Sequence, residues 1–167
     1  MAARRILQLG DPLLRSVSLR VSCEDASPVL RDLADTLAEF RRTHGFGRAI
    51  SAIQIGAPLR VIFVELDRVR YELINPEFTW RSPELFELWD DCFSFPNLMV
   101  RLQRHCAIRL RHEKRNGSIG EIEAAGALAE LIQHEMDHLD GVLAVDRAIG
   151  RDGFFTREEW LRQYSPA

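Results

Sequence analysis

Gln133-His134-Glu135-Met136-Asp137-His138-Leu139-Asp140-Gly141 is the stretch that decides how the rest of this chain is read. On an α-helix, residues four apart share a face one turn apart, so His134 and His138 can aim ring nitrogens at a single metal ion. Glu135 follows the first histidine and can reach a water on that metal without ligating the metal itself. A divalent ion lowers the pKa of its water to about 7, and a neighbouring carboxylate can take that proton and hand it to a leaving amine. The plainer alternative is a solvated helix face that happens to carry two histidines. Leu128, Leu131, Ile132, Leu139, Val142 and Leu143 surround the motif and predict a largely buried helix from about Ala125 to Leu139. Histidines and a carboxylate buried together need a partner, and a metal supplies one.

Two histidines leave a catalytic site one protein ligand short. Downstream, Glu158 and Glu159 are available, but they belong to Thr156-Arg157-Glu158-Glu159, a capping box that opens a final amphipathic helix with Trp160, Leu161 and Tyr164. Upstream, Cys92 in Trp89-Asp90-Asp91-Cys92-Phe93-Ser94-Phe95-Pro96 offers a thiolate. A lone cysteine is more often a small core hydrophobe. The two aspartates before Cys92 argue against an apolar position.

Further out, Asp11-Pro12 opens a short turn through Arg15, and Ser27-Pro28 signals the start of a helix carrying Leu30, Leu33, Leu37 and Phe40 inward. Asp32, Asp35 and Glu39 fall on its outward face, and Gly45 is a stop. Arg48 to Gly56 reads as a loop with few charges. Strands are predicted at Arg60 to Leu66, at Tyr71 to Ile74 (ended by Asn75-Pro76), at Leu85 to Trp89 and at Leu98 to Leu102. Ala107 to Arg111 pairs with Ile119 to Glu123 through an Asn116-Gly117 turn. The expected fold is α+β: antiparallel strands packed around the buried helix that bears the motif, with a C-terminal helix.

Residues 1–167 fit one domain. A net charge of −3 with mixed signs gives no case for nucleic acid or an anionic membrane as partner. Three cysteines are odd for a disulfide framework and point to a reducing compartment. No signal-peptide pattern and no long apolar run appear, so the expected location is cytoplasmic.

With these residues in place, the chain resembles the peptide deformylase family, which carries three motifs in order: a Gly-rich loop ending in Gln, a Glu-Gly-Cys-Leu-Ser segment, and Gln-His-Glu-x-Asp-His-x-x-Gly. Gln133 to Gly141 matches the third, Asp90-Asp91-Cys92-Phe93-Ser94 resembles the second, and Gly47 to Gln54 resembles the first. The resemblance implies that Cys92, His134 and His138 hold the metal and that Glu135 is general base, then general acid. It implies further that the Gln54 amide and the backbone N–H of Phe93 stabilise the oxyanion. The implied metal is Fe(II), with Zn(II), Ni(II) or Co(II) able to occupy the site, and the implied substrate an N-formylmethionyl peptide. A formylated small molecule or another formylated amine stays open as substrate, as does a non-catalytic homologue.

Four departures bear on that substrate. Ala49 replaces a glycine and Ile53 a proline in the first motif; Asp91 replaces glycine and Phe93 leucine in the second. Asp90, in place of glutamate, can pair with Arg104. Asp91 is expected to bring negative charge close to the metal, and Phe93 and Phe95 to bring aromatic bulk where substrate lies. Asp137 reads equally as a support for a ligand and as a solvent-facing acid, while Glu130, one turn before His134, reads as solvated ahead of bordering the pocket. His44, His105 and His112 read as surface or turn residues, Cys23 and Cys106 as structural. Ser51 and Ser94 have no nearby base, so serine chemistry is not expected.

Overall fold

A computed structural model describes residues 3–164. The long hydrophobic run after Arg60 forms β2 (Val61–Leu66), and both of its faces are covered. Val61 and Phe63 point to one core and Ile62 and Val64 to another, the period-two alternation of a strand caught between two layers. On the first side lies α1 (Cys23–His44), whose Leu30, Leu33 and Leu37 are fully buried, each contributing about 1.5–3 kcal/mol. On the second lies α2 (Gly126–Leu139), packing Ala129, Leu131, Ile132, Met136 and Leu139 against the same sheet.

That sheet runs in the order β1 (Ala49–Ser51), β2, β3 (Val69–Arg81), β6 (Ala107–Glu113) and β7 (Ile119–Ala125). A second sheet holds β4 (Leu85–Asp91), β5 (Leu98–His105) and β8 (Phe154–Thr156), in the order β4-β5-β8. Every strand pairing in the two sheets is antiparallel, and α3 (Arg157–Tyr164) follows β8. The fold is therefore α+β, with the motif helix buried and a helix near the C-terminal end. Among the described residues, no helix is long and apolar enough to cross a membrane.

The structure corrects several local expectations. Helix α1 starts five residues before Pro28, because Ser22 caps it by accepting from the Asp25 N–H at 3.1 Å, and the proline sits inside the second turn. Strand β3 does not end at Asn75-Pro76. Asn75 adopts φ +50° at a register shift between Ile74 and Glu77, and its side chain satisfies both Val21 N–H (3.0 Å) and Val21 C=O (2.8 Å). The bulge absorbs the missing proline N–H and the strand continues. The segment from Arg48 to Gly56 is not a plain loop but β1 followed by a 3-10 turn over Ala52–Ile55, with residues 49–54 buried. Strand β8 was too short to show a period. Helix α3 carries Trp160, Leu161 and Tyr164, as expected of the final amphipathic helix.

Candidate metal centre

Helix α2 delivers His134 and His138 from one face, as the four-residue spacing predicts, with ring centroids 5.0 Å apart. Cys92 arrives from the turn that ends β4, held where Phe95 N–H donates to the Cys92 carbonyl at 3.1 Å. Its Sγ lies 3.2 Å from His138 Nε2, and one ligand atom from each of Cys92, His134 and His138 falls within 4.8 Å of the others. Metal–sulfur and metal–nitrogen bonds of about 2.3 and 2.0 Å in a tetrahedral arrangement bring S and N to roughly this separation. All three residues are buried. A thiolate and two imidazoles turned toward one point, out of water, fit a divalent transition metal.

Behind the ligands runs a chain of buried charge. Asp90 Oδ2 accepts from His134 Nδ1 and from Arg104 Nη2, each at 2.9 Å, which leaves His134 Nε2 as the nitrogen free to ligate. Arg104 continues to Asp137, and Asp137 takes two hydrogen bonds of 2.6 Å from Arg147. Asp137 is thus a support for Arg104 and not a solvent-facing acid. Burial pushes the Asp90 carboxyl up, but His134 and Arg104 outweigh it and hold the group well below the usual carboxylate range. Burial pulls His134 down, and Asp90 more than reverses this, whereas His138 is driven low by burial and by its neighbour His134. Gln133 fixes the helix to the second sheet: its side chain accepts from His105 N–H and donates to His105 C=O, both at 2.9 Å.

Glu135 is buried beside the ligands, and burial pushes its carboxyl up to about 7. Its Oε2 has no hydrogen-bond partner among the described residues, and a dication nearby would draw the pKa back down. Gln54 is oriented by Ser51, whose N–H (3.0 Å) and hydroxyl (3.1 Å) both donate to Gln54 Oε1. That turns Nε2 toward Cys92 Sγ at 3.5 Å and Ser94 Oγ at 3.4 Å. Gln54, Cys92, His134 and Glu135 share a cavity of about 340 Å³. Arg48, Asp91, Phe93 and Glu130 line the same cavity.

The departures take a different form from the one expected. Asp91 does not leave a bare charge by the metal ligands, because Arg157 of α3 pairs with it at 2.5 Å and also donates to the Pro96 carbonyl at 2.6 Å. The Phe93 ring stacks on Phe40 at 3.9 Å and so joins the α1 core while lining the cavity. Phe95 does not reach the cavity; it packs with Leu14, Val100 and Leu102. Gly47, at φ +127°, suits glycine: any other residue would be strained there, and its Cβ would lie 2.6 Å from Phe93 Cζ and push that ring aside. Ala49 lines the cavity from β1, and Ile53 is buried in the 3-10 turn.

Two positions read as peripheral are otherwise. Glu130 is buried in the cavity wall, pairing with Arg48 at 3.2 Å, and its position one turn before His134 was the signal for this. His112 is buried as well, within β6. His44 is exposed and stacks on Phe40, while Cys23 and Cys106 are free thiols. Arg157 was overlooked because nothing in a capping box marks a residue that reaches back 66 positions.

Residues 3–153 match the family model described as polypeptide deformylase. A peptide deformylase of Bartonella tribocorum is 37% identical over 153 residues, covering 87% of this chain and 84% of that one. The crystal structure of peptide deformylase from Thermotoga maritima superposes with a TM-score of 0.82 at 30% identity, covering 90% of this chain and 100% of that one. A Synechococcus elongatus peptide deformylase in complex with actinonin also gives 0.82 at 30% identity, covering 97% and 86%. This chain belongs to the polypeptide deformylase family, whose members are divalent-metal hydrolases.

Proposed function

We propose that residues 1–167 act as one metallohydrolase domain that removes the N-formyl group from N-formylmethionyl peptides, with Cys92, His134 and His138 holding one metal ion. The observation that carries this reading is the approach of the Cys92 thiol to His138 beside a cavity that Cys92, His134, Gln54 and Glu135 line together. Family membership supports the same chemistry. Fe(II) is the proposed native metal, Zn(II), Ni(II) and Co(II) are substitutes, and the cytoplasm is the proposed compartment.

When bound, the metal supplies Lewis-acid activation of water and of the formyl carbonyl. The rest falls to the chain. Glu135, with a free carboxylate oxygen, takes a proton from the attacking water as its oxygen bonds to the formyl carbon. Gln54 Nε2, fixed by Ser51, donates to the carbonyl oxygen as it gains negative charge, and the Phe93 N–H serves as the second donor. Glu135 then returns the proton to the amide nitrogen, the C–N bond breaks, and formate and the free amine leave. Asp90 keeps the His134 ring in its ligating orientation throughout.

The test is release of formate from formyl-Met tripeptides by protein loaded with Fe(II) anaerobically or with Ni(II). Turnover that disappears on chelation and returns with metal is expected. A metal-loaded protein that cleaves no formyl-peptide would contradict the reading.

A further inference from the structure

A formyl group occupies only a small part of a cavity of about 340 Å³. If the proposed function holds, the remaining space must take the side chain next to the formylated nitrogen. That space is not lined by apolar groups alone. The Glu130 side chain is 9% exposed, and Arg48, at 42%, reaches it through one contact of 3.2 Å from Nη2 to Oε2. The second carboxylate oxygen takes no part in that contact. Burial raises the Glu130 carboxyl pKa against the pull of Arg48, as expected of a group short of solvation.

Filling such a cavity with an apolar side chain strips the remaining water from Glu130 and returns nothing to it. A side chain that ends in a donor replaces that water with a hydrogen bond. The charge balance selects further. With Arg48 and Glu130 paired, the wall carries little net charge, so a neutral donor adds no repulsion, whereas a second carboxylate loses its own hydration and must compete with Glu130 for Arg48. We propose that the Arg48–Glu130 pair makes this cavity favour formyl-peptides whose first side chain ends in a neutral hydrogen-bond donor, such as the glutamine amide, over the methionine thioether. Methionine, glutamine and glutamate have nearly the same length and shape, so this specificity separates from simple size.

The experiment compares kcat/KM for formyl-Met, formyl-Gln and formyl-Glu tripeptides of otherwise identical sequence, using Ni(II)-loaded full-length protein. Wild type is expected to favour Gln over Met by about tenfold and Gln over Glu by more than that. In R48L/E130L, which removes both charges together, the order should invert to Met over Gln. In Glu130→Gln, which keeps the shape, the Glu peptide should gain on the Gln peptide. If the double variant does not fold, the wild-type series and Glu130→Gln decide the matter alone. Wild type favouring Met, or a double variant that keeps the Gln preference, would overturn the inference while leaving deformylation intact. Wild type that cleaves none of the three removes the proposed function and this inference together.

Discussion

His134, Glu135 and His138 ride on one helix, and His134 is backed by a continuous run of charge from buried Asp90 and Arg104 to half-buried Asp137. The rest of the cavity wall is assembled differently. Phe46 and Arg48 come from one segment and Asp91 and Phe93 from another, and side-chain contacts hold them: a ring stack to Phe40, an ion pair to Glu130, and the reach of Arg157 from α3. Arg157 even lies with its guanidinium over the Phe46 ring, 4.0 Å from the centroid, so one side chain joins two of those segments. The comparison teaches that the two histidines and Glu135 are positioned together by helix geometry, so a change in one element moves all three. The cavity wall is positioned by side-chain pairs between elements, each of which can be changed alone.

The largest effect should come from the helix side. Glu135→Ala should leave metal content unchanged and lower turnover of formyl-Met peptides by about 10²–10⁴-fold, because the ligands remain and the proton carrier is gone. Near-wild-type single-turnover rates would remove Glu135 from the chemistry. Gln54→Leu should lower kcat by about 10²–10³-fold with little change in metal content, as loss of one oxyanion donor does. If KM rises and kcat does not, Gln54 is a binding group only.

The substrate wall should be more forgiving. Arg157→Ala and Asp91→Gly each break one pair, and kcat/KM should fall by about tenfold or less. The double substitution should be no worse than Arg157→Ala alone, since the contact to Asp91 is already lost there. Additive losses in that cycle would show that Asp91 and Arg157 act independently. The smallest effect lies away from the cavity, at Glu65, which Arg70 and Arg41 together hold below its ordinary value near 4.5. A depressed carboxylate stabilises the fold above its unfolded pKa and loses that contribution as pH falls through the folded value. Glu65→Gln should therefore lose less stability than wild type in denaturant titrations carried from pH 5 to pH 3.

What was legible in the sequence follows the same division. The motif helix, its buried face and the Asn116-Gly117 hairpin could be read because spacing fixes them locally. The role of Cys92 came only with the family resemblance, since 42 positions separate it from His134. Strand β3 could not be followed past Asn75-Pro76, since the bulge there depends on Asn75 bonding to Val21, a residue 54 positions away. Helix α1 was started late because Ser22-Cys23-Glu24-Asp25 caps with an aspartate where the capping box has glutamate or glutamine. Glu130 lies one turn before His134, which signals a place at the pocket, but it was read as solvated because its partner Arg48 lies 82 positions away. Asp91 looked like an uncompensated charge because its partner Arg157 lies in another element.

The central claim is that Cys92 closes a three-ligand metal site with the two histidines of α2. Metal analysis of anaerobically purified protein tests it most directly, wild type beside Cys92→Ser and His138→Ala. The account predicts about one transition-metal ion per chain in wild type and its loss in both variants, with the fold retained by circular dichroism. Wild type without metal, or Cys92→Ser holding as much as wild type, would contradict it.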